Sequence, residues 1–244
     1  MHKPIRVVIF DLGSTLIYEN GPWDDLFIQA DRALWGVLHS AGVPLQPDDL
    51  YRNAPTLFSL YYDQHRNDLV EPTIAAVLDR LLQSRGFRLP KETLREAIRA
   101  MFAVTQTNWL PEEDVIPTLE RLSSAGLRLG MISNASDDDN TQALIDKAHI
   151  RPYFEYVLSS ARFGRRKPDP GIFQAALAHF GAPPQTAVMV GDNYQADIAG
   201  ARAVDMQSIW ITRRVPGSLL APSEANADAV VATLSEIPGA LGVR

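Results

Sequence analysis

The chain has 244 residues, 46% hydrophobic and 21% charged, the composition of a soluble globular protein able to bury a core unaided. It contains no cysteine, which rules out a disulfide framework, a thiolate metal site and a cysteine nucleophile. A formal net charge of −6 and the absence of any dense Lys/Arg block argue against nucleic acid or an anionic membrane as partner.

In chain order, the first informative stretch is Ile5–Leu16, IRVVIFDLGSTL. Val7, Val8, Ile9 and Phe10 form the near-continuous run expected of a strand buried on both faces of a parallel sheet. The run stops at Asp11, so it is too short for a secretory signal core or a membrane span, and a cytoplasmic location is expected. A carboxylate there lies at the carboxyl edge of the strand, where open α/β sheets bind ligands. Taken alone, Asp11 reads equally well as a capping residue or a functional one. Gly13 breaks the strand, and the hydroxyls of Ser14 and Thr15 follow.

Tyr18–Pro22 reads as a polar loop. Trp23, Leu26, Phe27, Ala30, Leu34, Val37 and Leu38 then recur at helical spacing up to Ala41–Gly42. A second helix is expected over Asp48–Asp63, with Tyr51, Phe58, Tyr61 and Tyr62. A third opens at Pro72 and aligns Ile74, Val77, Leu78, Leu81 and Leu82 before Gly86. A fourth covers Lys91–Thr107. No strand is expected between Pro22 and about Trp109, so residues 21–110 read as a helical insert between 1–20 and 111–244.

From Asp114 helix and strand alternate. Helices are expected over Val115–Ala125, Asp137–His149, Pro170–Phe180 and Tyr194–Ala203. Strands are expected over Leu127–Ile132, Tyr156–Leu158, Thr186–Val190, Gln207–Thr212 and Ala229–Val231. Gly217–Ala227 is the loosest stretch. The alternation implies right-handed βαβ units, hence an α/β fold with a Rossmann-like, three-layer parallel-sheet core.

Three strands end in polar residues at one edge: Asp11, Ser133 and Asp192. Lys167 in RRKPDP precedes a helix and joins them. Two acids from different strands suit a hard cation such as Mg²⁺. A lysine and a serine can hold the oxygens of a phosphoryl group as charge moves on them. A carboxylate at that centre can attack phosphorus and divide hydrolysis into two steps.

These four stretches, in order, resemble the four motifs of the haloacid dehalogenase-like superfamily, over about Ile5–Tyr18 and Pro111–Thr212. The resemblance implies that Asp11 is the nucleophile. It implies that Ser133, in MISNAS, binds phosphoryl oxygen and that Lys167 neutralises the aspartyl-phosphate. Asp192 and Asp197, in GDNYQADIAGAR, would then hold Mg²⁺, the first directly and the second through water or by orienting the site. The backbone carbonyl of Gly13 would complete the metal site, and Asn134 would order the phosphate-binding turn. The helical insert lies where some members carry a cap after the first motif. About 32 residues between Asn134 and Lys167 leave no room for a second cap. Closure of a cap excludes water and adds substrate-selecting side chains.

One position departs from the family's phosphatases. They carry a second Asp, two residues after the nucleophile, that protonates the leaving oxygen; here that position is Gly13. Such proton transfer is worth about 10²–10⁴-fold. The primary expectation is a Mg²⁺-dependent phosphohydrolase acting on a small phosphorylated metabolite. The glycine keeps two alternatives open: a catalytically impaired phosphate- or metal-binding regulatory module, and a 2-haloacid dehalogenase, whose halide leaves without a proton. A substitute acid could come from His65, Glu19 or Tyr62. Retention of both Asp192 and Asp197 argues against dehalogenation, because clustered acids repel one another unless a cation neutralises them.

Other residues read more simply. Asp137–Asp139 suits a helix N-terminus better than a metal. Ser133 could cap the helix that follows it. Arg165 and Arg166 read as a solvated basic turn, and Trp23, Trp35, Tyr61 and Tyr62 as core of the insert before pocket lining. His2, His39, His65, His149 and His179 have no ligand spacing, so zinc is not expected. Asp205 suits a left-handed turn. The expected state is a monomer or homodimer.

Overall fold

The computed structural model describes residues 4–44, 57, 60–61, 68–216 and 226–243. His2, Tyr62, His65, most of the expected helix Asp48–Asp63 and most of Gly217–Ala227 lie outside the described residues.

Six strands form one parallel sheet: β1 (Val7–Phe10), β4 (Arg128–Ser133), β5 (Tyr156–Ser159), β6 (Ala187–Gly191), β7 (Gln207–Ile211) and β8 (Ala229–Val231). Their spatial order is β5-β4-β1-β6-β7-β8. The chain builds outward from β1 in one direction through β4 and β5, then in the other through β6 to β8. β1 is therefore the switch point, and a crevice opens beyond its carboxyl end. Period-two alternation divides the strand between two cores. Val8 and Phe10 pack with Val115, Leu119 and Leu122 of helix Val115–Ser124. Val7 and Ile9 pack with Ile172, Phe173 and Ala176 of helix Pro170–Phe180. All four β1 residues are buried, and each such side chain contributes roughly 1.5–3 kcal/mol.

The insert contributes helices Asp24–Ser40, Ile74–Ser84 and Lys91–Thr105. Ala30, Leu34, Leu38, Ile74, Leu78, Ile98 and Met101 give it a separate apolar core. Trp35 and Tyr61 belong to that core. The third expected helix starts at Ile74 and not Pro72, because the Thr73 hydroxyl caps it by accepting from the Ala76 N–H at 3.2 Å.

The expected loop at Tyr18–Pro22 needs correction at its start, and the strand-free stretch from Pro22 is closed by a strand that begins at Trp109. β2 (Ile17–Glu19) and β3 (Trp109–Pro111) pair antiparallel, Glu19 opposite Trp109 and Ile17 opposite Pro111. Each strand is only three residues long, too short for a periodic signal. Together they tie the two ends of the insert. The expected helix Tyr194–Ala203 is also not uniform: a π-helical turn spans Tyr194–Ala199 and an α-helical turn Gly200–Arg202. No helix among the described residues is long and apolar enough to cross a membrane.

Candidate active site

The carboxyl ends of β1, β4 and β6 lie side by side, with Phe10 in register with both Met131 and Val190. That alignment carries Asp11, Ser133 and Asp192 to one edge. The Asp11 N–H donates to the Val190 carbonyl at 2.9 Å, which extends the β1–β6 ladder to the acid itself. In the turn that follows, the left-handed residue is Ser14, at φ 59°, while Gly13 is not in the left-handed region. The turn therefore does not require glycine at position 13.

Lys167 sits at the centre, almost wholly buried. Its ammonium lies 2.6 Å from Asp11 Oδ1, 2.7 Å from Asp197 Oδ1 and 2.8 Å from the Ile132 carbonyl oxygen. Burial alone would lower its pKa, but Asp11 and Asp197 outweigh it and hold the pKa above the ordinary lysine value. Asn134 positions the loop that carries it. The Asn134 amide donates to the Lys167 carbonyl at 3.0 Å and accepts from the Lys167 N–H at 2.8 Å. Its side chain thus holds backbone. That is the ordering of the turn expected of it, and Asn134 also lines the cleft.

Asp11, Asp192 and Asp197 each offer an oxygen within 4.8 Å of the others. Burial, then the Asp11 and Asp197 charges, push the Asp192 carboxyl up to about 7. Burial pushes Asp197 upward as well, against the opposing pull of Lys167. Asp197 Oδ2 accepts from the Asn193 N–H at 3.0 Å. Its approach depends on Gly191, where a Cβ would fall 2.2 Å from Asp197 Oδ2. The Trp210 indole holds the Asp192 carbonyl at 2.8 Å. With all four side chains ionised, three carboxylates and one ammonium leave two uncompensated negative charges. A divalent cation matches that deficit, and an oxygen donor set suits a hard one.

Ser133 is buried and lines the same cleft, whose volume is about 510 Å³. The helix after β4 (Asp138–Lys147) is capped by Asp137, whose Oδ1 accepts from the Asn140 N–H at 2.7 Å. Asp138 accepts from the Ser159 hydroxyl at 2.7 Å. The acidic run therefore serves the helix end, and Ser133 is not its cap. Asp205 adopts φ 60°, the left-handed turn expected of it.

Arg165 and Arg166 are not simply solvated. Arg165 pairs with Asp169. Arg166 is half-buried and donates to Glu71 Oε1 at 2.8 Å and to the Tyr61 hydroxyl at 3.0 Å. Glu71, itself buried, accepts from the Ser160 hydroxyl at 2.9 Å. The backbone joins there too, through Arg166 N–H to the Leu69 carbonyl and Glu71 N–H to the Gly164 carbonyl. Glu71 gave no sign in the sequence, because its partners lie far along the chain. Thr15 was passed over as a turn hydroxyl, yet it is fully buried and reaches within 3.5 Å of Asp192 Oδ1.

Comparisons with known proteins point in one direction. Residues 5–205 match the family model for haloacid dehalogenase-like hydrolases. The chain is 30% identical over 210 residues to a glyceraldehyde 3-phosphate phosphatase of Methanothermobacter thermautotrophicus, with 85% of each chain covered. It is 35% identical over 147 residues to a phosphoserine phosphatase of Thermus thermophilus, covering 60% of this chain and 57% of that one. Among solved structures, a 2-haloacid dehalogenase from Pseudomonas syringae pv. Tomato DC3000 superposes with a TM-score of 0.69 at 26% identity, covering 98% of both chains.

Proposed function

Because this chain belongs to the haloacid dehalogenase-like hydrolase family, we propose that it is a Mg²⁺-dependent phosphohydrolase acting through an aspartyl-phosphate on Asp11. The observation that carries the reading is the charge balance of the site: three clustered acids around one buried lysine. Phosphatase names among its relatives support the same reaction class. Asp11, Asp192 and the Gly13 carbonyl would hold the Mg²⁺, with Asp197 orienting the set. Bound there, the ion supplies Lewis acidity and charge neutralisation.

The chain's own groups account for the steps. Asp11 attacks phosphorus; an O–P bond forms to its carboxylate as the ester P–O bond breaks. Ser133 and Lys167 hold the remaining phosphoryl oxygens, on which negative charge is spread. The leaving oxygen departs toward the insert side of the cleft and takes a proton from solvent; water then attacks phosphorus as the Asp11 O–P bond breaks, its protons stay on the departing phosphate, and the Asp11 carboxylate is restored. The helical insert acts as the cap, supplying Trp23, Phe27 and Phe102 to the cleft wall. The direct test is phosphate release from a metabolite panel, with and without Mg²⁺. Folded protein that releases none, yet is stabilised by beryllium fluoride with Mg²⁺, is instead the binding module.

Dehalogenation has two observations in its favour, Gly13 and the dehalogenase among the solved structures. The acid cluster opposes it. Halide release from a 2-haloacid in the presence of a chelator would decide for dehalogenation.

Gly13→Asp is expected to raise phosphatase kcat at least about tenfold, within the 10²–10⁴ that a positioned acid can supply. Space permits the change: a Cβ at Gly13 meets only the Trp109 ring, at 3.4 and 3.6 Å, which is ordinary contact. An unchanged or lower rate would mean that another group already delivers the proton.

The metal reading also fixes a pH dependence. The Asp192 pKa, about 7, lies above the ordinary aspartate value of 3.8. Between those values the folded state binds more protons than the unfolded one, so this group's stabilisation is complete below pH 4 and is lost as pH rises through 7. Thermal unfolding without Mg²⁺ should show that loss. Mg²⁺ should restore Tm far more at pH 8 than at pH 5. A Mg²⁺ effect of equal size at both pH values would contradict the assignment.

A further inference from the structure

The cleft is chemically divided. Asp11, Ser133, Lys167, Asp192 and Asp197 occupy one part, and Trp23, Phe27, Phe102 and Trp109 line another. Three of these rings adjoin one another: Trp23 stacks on Phe27 with centroids 5.0 Å apart, and Trp23 and Trp109 lie 6.0 Å apart. Trp23 is fixed further by its indole N–H, which donates to Glu19 Oε2 at 2.5 Å. Trp109 is fixed by the β2–β3 pair, in which it faces Glu19. The same Trp109 ring covers Gly13. The surface thus begins at the position that lacks an acidic side chain.

In-line displacement at phosphorus sends the leaving group away from Asp11, into the remainder of the cleft. We infer that this site is built for phosphate monoesters of phenol-type alcohols, the aromatic leaving group resting on the Trp23–Trp109 surface. The inference rests on the phosphohydrolase reading above and deepens it. Two independent features meet in one substrate. Planar apolar rings recognise an aromatic group through offset or edge contacts. A phenol ionises near 10, as a tyrosine hydroxyl does, several units below an aliphatic alcohol. Its oxygen can therefore depart as phenolate, and a solvent proton follows later. The missing acid at Gly13 costs such a substrate far less than an alkyl phosphate.

The test has a binding arm and a turnover arm, both with the full chain and Mg²⁺. Benzylphosphonate and methylphosphonate, which are not hydrolysed, are titrated while tryptophan fluorescence is followed. Benzylphosphonate is expected to bind at least about tenfold more tightly, and Trp23→Ala to remove most of that difference. Trp23→Phe, which keeps a ring, should retain it; this separates lost contact from lost folding. In turnover, kcat/KM for 2-naphthyl phosphate should exceed that for a matched alkyl phosphate by at least about 100-fold. In Trp23→Ala the ratio of 2-naphthyl phosphate to acetyl phosphate should fall at least about tenfold. Equal binding of the two phosphonates overturns the inference, as does phosphocholine outperforming the aryl esters, since aromatic rings beside the Glu19 carboxylate would then be serving a cation. Tight benzylphosphonate binding with no turnover of any phosphate ester or of acetyl phosphate overturns the phosphohydrolase reading and leaves the aromatic surface standing.

Discussion

Asp11→Asn is expected to lower kcat for any phosphate ester by at least about 10⁴-fold. The amide cannot form the aspartyl-phosphate, and removal of a nucleophile that acts with its partners as a unit costs nearly the whole of their joint effect. The fold should survive. Asp11 caps a strand whose four residues are buried and paired on both sides, and its N–H bond to Val190 does not involve the side chain. The variant also takes a negative charge from beside Asp192. The Asp192 pKa should therefore move down from about 7, because the Asp11 charge is its second-largest cause after burial. Phosphate release under single-turnover conditions, with circular dichroism as the folding control, checks the first claim. A carboxyl-resolved NMR titration checks the second. Residual activity within tenfold of wild type would remove Asp11 from the nucleophile's role.

Lys167→Met is expected to be the most destabilising single change at the site. It removes a buried ammonium and leaves Asp11 and Asp197 with no cation at contact distance among the described residues. Breaking a buried ion pair from one side costs about 3–5 kcal/mol, a large share of the 5–15 kcal/mol that holds a domain folded. The shape of the loss is diagnostic. It should be greatest at pH 8 without Mg²⁺ and shrink toward pH 5, where the acids can take up protons. Saturating Mg²⁺ should recover part of it at pH 8. Urea unfolding at the two pH values, with and without the ion, provides the readout. An equal loss under all four conditions would mean that Lys167 contributes packing of its stem and no charge balance.

The legible parts of the molecule were those with a local cause. The β1 run, its terminal acid and the strand–helix alternation after Asp114 each carry a periodicity or a stop within a few residues. The parallel sheet followed from them. Asp11, Ser133, Lys167 and Asp192 were found because each closes or precedes an element, Asp197 only through the family resemblance, and the structure does bring the five into one cleft. What escaped depends on partners distant in the chain. β2 and β3 have three residues each and exist because residues 17 and 111 meet. Asn134 was expected to order its turn, but the means could not be read: its amide is matched to the backbone of Lys167, 33 positions away. Gly13 read as the residue that breaks the strand, which suggested a turn built on glycine's conformational freedom. The left-handed conformation falls on Ser14 instead, so residue 13 is free to answer to chemistry.

The linkage around Glu71 sets where this molecule can move. Arg166 precedes Lys167 directly, and it is held to the insert by its side chain on Glu71 and by its own N–H on Leu69. An outward displacement of the insert on that side would drag the lysine from between Asp11 and Asp197. The position of that side of the insert and the charge state of the site are therefore coupled: while Lys167 is held by Asp11 and Asp197, Arg166 and Glu71 stay seated beside it. Amide hydrogen exchange should be slow at Glu71 and Arg166 in the parent chain and should quicken there in Lys167→Met, where that anchor is gone.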